Sequence, residues 1–183
     1  MPLPIEARRL WCIPILHGAA DLGTYAPKVA ARRDAQASEQ IADLWSQIRH
    51  EVLDLGLDYR RLRVYQDSLP CCGFESRIVA DVARQGSANF LLLEELLARG
   101  ARIEGTESVE LLMREMELAK HPERASAESM AELLRQRDAF IAKRIDETLQ
   151  DGEEGMLFLG MLHDIASALP SSIALRYPLR IEP

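Results

Sequence analysis

From Gly155 to His163 the chain reads Gly-Met-Leu-Phe-Leu-Gly-Met-Leu-His. This run of large apolar residues is too short for a core helix and does not alternate, which predicts a strand buried on both faces. Upstream, roughly Glu128 to Gln150 has the periodicity of one long amphipathic helix. Leu10-Trp11-Cys12-Ile13-Pro14-Ile15-Leu16-His17 predicts the first strand, with Pro14 demanding either an edge or an irregular second half. From about Ser38 to Leu55, the residues Ile41, Leu44, Trp45, Ile48, Val52 and Leu55 recur at helical spacing as one apolar stripe, and Gly56 is a stop signal. The stripe reads as core, and the helical surface beside it is a candidate for homodimer formation.

Leu62–Asp67 alternates and is the second predicted strand. Helices are expected over about Glu75–Arg84 and Ala88–Arg99, the second capped by Ser87 and stopped by Gly100. Ala101–Glu107 is the third strand, Ser108 caps the next helix, and His121-Pro122 breaks it. Ser171–Tyr177 closes the pattern as a fifth strand. Strands alternating with helices predict an α/β fold: a single domain over 1–183, with a mostly parallel four- to five-stranded sheet and helices on both faces. Asp164–Pro170 is too short for a crossover helix, which allows an antiparallel fifth strand.

Composition narrows the class. The 183 residues suffice for one sizeable core. A net charge of −7 disfavours nucleic acid and anionic membranes as partners. The Met1-Pro2-Leu3-Pro4 start shows no signal pattern, and no apolar run approaches the ~18–20 residues of a membrane span. Three cysteines with no CxxC pair argue against a disulfide scaffold. A cytoplasmic protein acting on a small-molecule substrate or ligand is expected.

The candidate chemistry lies where strands end. His17, Asp67, Glu107 and His163 each close a predicted strand, and in a parallel sheet those ends share one rim, where ligands bind. Imidazoles with carboxylates form an acid/base set. They also suit a borderline divalent metal such as zinc, manganese or iron, with His17, Glu107 and His163 as ligands. Asp67 before Ser-Leu-Pro also suits a plain turn, and Glu107 a helix N-terminus. Arg137 or Arg144 on the long helix is placed to aim at the rim. Gly18 and Gly23, in the small-residue loop after His17, leave room for a ligand, although they match neither a P-loop nor a GxGxxG pattern. Cys71 and Cys72 precede a helix N-terminus, where a thiolate would be favoured; inert thiols are the plainer reading.

Arg137-Asp138-Ala139-Phe140-Ile141-Ala142, followed by Gly160-Met161-Leu162-His163, resembles the C-terminal signature of the superfamily that contains the erythromycin esterases, the ChaN-like haem-binding lipoproteins and the TraB/Tiki proteins. Its pattern is an Arg-Asp or Arg-Asn helix and then a buried strand ending Gly-x-x-His. An N-terminal strand ends in another Gly-x-x-His, and acidic residues follow the middle strands. Here His17 stands at that first place with Pro14 where the glycine belongs, and Glu107 is the best acidic match. The resemblance implies a hydrolase or ligand-binding site built from His17, Glu107 and His163.

Two classes of function follow. One is a hydrolase, metal-assisted or esterase-like, with catalytic residues drawn from His17, Asp67, Glu107, Arg137 and His163. The other is a non-catalytic protein that binds a small molecule or cofactor, such as an anion or haem.

Overall fold

The computed structural model describes residues 8–15 and 35–178. Within them the elements run β1 (Arg8–Ile15), α1 (Ala35–Asp54), β2 (Leu62–Pro70), α2 (Glu75–Ala83), α3 (Ala88–Ala98), β3 (Arg102–Glu107), α4 (Val109–Lys120), α5 (Ala127–Thr148), β4 (Glu154–Gly160) and β5 (Ile173–Arg176). All five strands are parallel, in the order β3-β2-β4-β1-β5. The α/β class is as the alternation predicts. The fifth strand is parallel too: it pairs with β1 rather than with β4, so the chain crosses over β1 without a helix.

β4 is buried along Gly155–Leu159. Side-chain alternation divides it between two cores. Met156 and Phe158 pack with Ile13, Ile15, Leu62 and Val64 beneath α1, α2 and α3. Leu157 and Leu159 pack with Leu10, Cys12 and Tyr65 beneath Ile141, Ala142 and Ile145 of α5. Trp45, Ile48 and Val52 of α1 are buried in the first core, with Ile41, Leu44 and Leu55 partly buried against it. Pro14 pairs with Leu159 of β4, whereas among the described residues β5 covers only Arg8–Trp11. Half of β1 is therefore edge-like, and its proline costs no ladder bond on the uncovered side.

Two features place the site. Every strand delivers its C-terminal end to one rim. From β2 the chain leaves for the face of α2 and α3, and from β3 for the face of α4 and α5. Neighbouring strands that depart in opposite directions leave a crevice between their ends. Among the described residues no helix is long and apolar enough to cross a membrane.

Candidate functional site

α5 carries the centre of the site. Ser126 caps it, accepting from Ser129 N at 3.1 Å while the Ser129 hydroxyl accepts from Ser126 N at 3.0 Å. Its buried face consists of Leu133, Arg137, Asp138, Ile141, Ala142 and Ile145. An arginine and an aspartate thus interrupt an otherwise apolar stripe, which only specific partners make tolerable.

Those partners come from β2, from the end of β3, from α4 and from the turn after β4. Arg137 Nη2 donates to Glu107 Oε1 at 2.7 Å and to Asp67 Oδ1 at 2.8 Å, and its Nε lies 3.2 Å from both Glu107 oxygens. Nη1 donates to Glu115 Oε1 of α4 at 2.7 Å. The planar guanidinium is suited to such divided bonding. Burial works against its charge, but Glu107, Asp67 and Glu115 outweigh that and raise its pKa further. Glu107 is wholly buried; burial pushes its carboxyl up, Arg137 pulls it back, and it stays above the ordinary value.

Asp138 organises the other half. Its Oδ1 lies 2.6 Å from His163 Nδ1, and its Oδ2 accepts from Asp164 N at 3.1 Å. The far ring nitrogen, His163 Nε2, lies 3.6 Å from Asp67 Oδ2, which also accepts from Gly160 N at 3.0 Å. Two carboxylates therefore hold the turn from Gly160 to Asp164 at both ends. β4 stops at Gly160, three residues before the histidine that was expected to end it, and His163 sits in the turn with its side chain buried.

A bulge shapes the remaining wall. Gln66 pairs with Gly105, but Pro70 is already opposite Glu107, so β2 spends four residues where β3 spends two. Within this stretch Ser68 has φ +64°, the one positive φ of a non-glycine residue among those described. Cys71 N donates to Glu107 O at 2.9 Å and closes the bulge. Gly105 is obligatory here, since a Cβ would meet Pro70 O and Cys71 Cα at 2.7 Å.

Of the expected site residues, Asp67, Glu107, Arg137 and His163 converge. His17, Gly18 and Gly23 lie outside the described residues. Arg144 does not join them: it faces Glu104 at 3.6 Å and the Gly105 carbonyl at 3.4 Å. A thiolate at Cys71 is not supported. Its Sγ–H donates to Gly105 O at 3.0 Å, and burial raises its pKa. The positive helix end behind it is already answered by Glu75, which accepts from Cys72 N and Gly73 N.

Sequence reasoning missed Asp138 as a partner of His163, Glu115 and Ser68. The first had a readable signal, a charge pair set into the apolar stripe of α5. Glu115 and Ser68 depend on how α4 packs and where β2 bulges, and the sequence carries no mark of either.

Asp67, Glu107 and His163 offer ligand atoms that all lie within 4.8 Å of one another. Two carboxylates and an imidazole are a suitable donor set for a divalent metal, and the group could in principle hold an ion. Arg137 already engages one oxygen of Asp67 and both of Glu107, so it competes for these donors.

Comparison of the chain with protein-family models, with curated proteins and with solved structures returned no match.

Proposed function

We propose that this chain is a hydrolase of small, uncharged or cationic substrates, with Asp138, His163 and Asp67 as its acid/base array. The observation that carries this reading is His163 lodged between two carboxylates, Nδ1 at 2.6 Å from Asp138 and Nε2 at 3.6 Å from Asp67. Asp138 fixes the proton on Nδ1 and so fixes the tautomer, leaving Nε2 to take a proton from water and return it to a leaving group. Arg137 holds Asp67 and Glu107 in place and supplies the positive charge toward which a carbonyl oxygen can develop negative charge. The carboxylate excess of Asp67, Glu107, Glu115 and Asp138 over Arg137 speaks against an anion as the ligand. Placement in the cytoplasm rests on three free cysteines.

The test is a panel of p-nitrophenyl acyl esters and phosphate esters turned over by the purified chain. His163→Ala and Asp138→Asn are expected to lower kcat/KM by about 10²–10⁴-fold with the fold intact. Turnover unaffected by both substitutions overturns the reading.

A metal-assisted form of the same reaction is favoured by the clustering of Asp67, Glu107 and His163. Those residues would hold zinc, manganese or iron, which supplies polarisation of the scissile bond and a more acidic bound water. Elemental analysis of protein purified without an affinity tag decides it: stoichiometric metal, lost in His163→Ala, is the expected result, and metal-free protein with full turnover rejects it.

A further inference from the structure

Asp67, Glu107, Arg137 and Asp138 are buried, as is the His163 side chain, and a substrate has to meet the network through an atom that reaches solvent. Ser68 is exposed, yet it is wired directly into the network. Its hydroxyl donates to Asp67 Oδ1 at 3.2 Å, and its Oγ lies 3.5 Å from Arg137 Nη2. It is also the residue held at φ +64°, a conformation that is strained for a residue with a side chain. Bulges beside active sites re-aim a side chain, and this one turns a serine out of the sheet at the rim while its neighbours Asp67 and Leu69 stay buried.

We infer that Ser68 is the nucleophile of the site and that its substrates are uncharged carboxylic esters; this rests on the hydrolase reading above. Ser68 Oγ forms a bond to the acyl carbon as its proton passes to Asp67 Oδ1. Arg137 offers positive charge to the carbonyl oxygen that becomes anionic. The acyl–oxygen bond then breaks, and the leaving alkoxide takes the proton from Asp67, which gives an acyl-serine and a free alcohol. Water attacks the acyl carbon and surrenders a proton to the Asp67–His163 pair. The Ser68–acyl bond breaks, Ser68 regains a proton, and the carboxylic acid departs. No co-reactant besides water is needed. The acidic surroundings disfavour phosphate monoesters, whose charge the carboxylates repel.

The full chain is treated with a fluorophosphonate, which phosphonylates activated serines, and is assayed on p-nitrophenyl acetate. One phosphonyl adduct mapped to the Ser68 peptide is expected, absent in Ser68→Ala and in Ser68→Gly. Both variants are expected to lose about 10²-fold or more of kcat/KM. Ser68→Gly relieves the positive φ, so a melting temperature at or above that of the parent separates lost chemistry from lost fold. Ester turnover that survives Ser68→Ala but not His163→Ala overturns the nucleophile and leaves the hydrolase reading standing. A parent chain that neither takes the label nor turns over any ester overturns both.

Discussion

At the residue scale the three cysteines give a direct check on the site's surroundings. Cys12, buried in β1, has its thiol pushed up to about 12 by burial. Cys71 is raised as well and donates to Gly105 O, whereas Cys72 is exposed. The thiolate is the reactive form, so native protein at pH 8 is expected to show one fast-reacting thiol toward a disulfide reagent, and peptide mapping should place it at Cys72. Rapid modification of Cys12 without unfolding would contradict the burial of β1. Gly105 is a second residue-scale check. Its Cβ would strike backbone atoms rather than a yielding side-chain end. Gly105→Ala is expected to destabilise by about 1–3 kcal/mol, read from a urea midpoint, and a neutral result would mean that the bulge is looser than described.

At the scale of the element, α5 stands out. Its buried face joins the second core through Ile141, Ala142 and Ile145 and the rim through Arg137 and Asp138. Removing one partner from a buried ionic group leaves the others uncompensated, which costs about 3–5 kcal/mol. Arg137→Met is expected to fall in that range by chemical denaturation, because Asp67 and Glu107 then lose their shared cation. Arg137→Lys should recover only part of it: an ammonium is a point charge and cannot divide its bonding among Glu107, Asp67 and Glu115 as the planar fork does. A change below about 1 kcal/mol for Arg137→Met would show that the cluster is hydrated rather than buried.

At the scale of the whole molecule, acid and mass are the informative variables. Glu153, at the opposite end of β4 from the site, is pushed up by burial but pulled further down by Arg63 and by the Gln150 N–H, so its carboxyl lies below the ordinary value. A depressed carboxyl contributes stability above its unfolded value of about 4.3, and that contribution is lost as pH falls through the folded value. Thermal stability is therefore expected to drop below about pH 4, and Glu153→Gln should flatten that slope while lowering stability at pH 7. The mass question follows from α1. With Trp45, Ile48 and Val52 inside the first core, Trp45→Ala should cost about 3–5 kcal/mol of folding stability and leave the sedimenting mass unchanged. A species of twice 20.6 kDa that survives dilution is what would mark a homodimer.

What the sequence determined by itself was the alternation of elements and most of their ends. Ser87 and Ser108 cap the helices they were expected to cap, because capping is settled within one turn of chain. The apolar run of β4 announced burial on both faces, because only a central strand can hide side chains of both parities. The convergence of Asp67, Glu107 and His163 was also legible, since a parallel sheet sends every strand end to one rim. The tertiary structure decided the rest. The pairing of β5 with β1 and not with β4 depends on which strand lies beside which, and local propensity is silent on that. Asp138 reached His163 only because α5 packs across the crevice, twenty-five residues from the turn that it orients. Ser68 took its outward place because β2 and β3 match their lengths across Gly105 by a bulge, and such a mismatch exists only between two strands, not within either one.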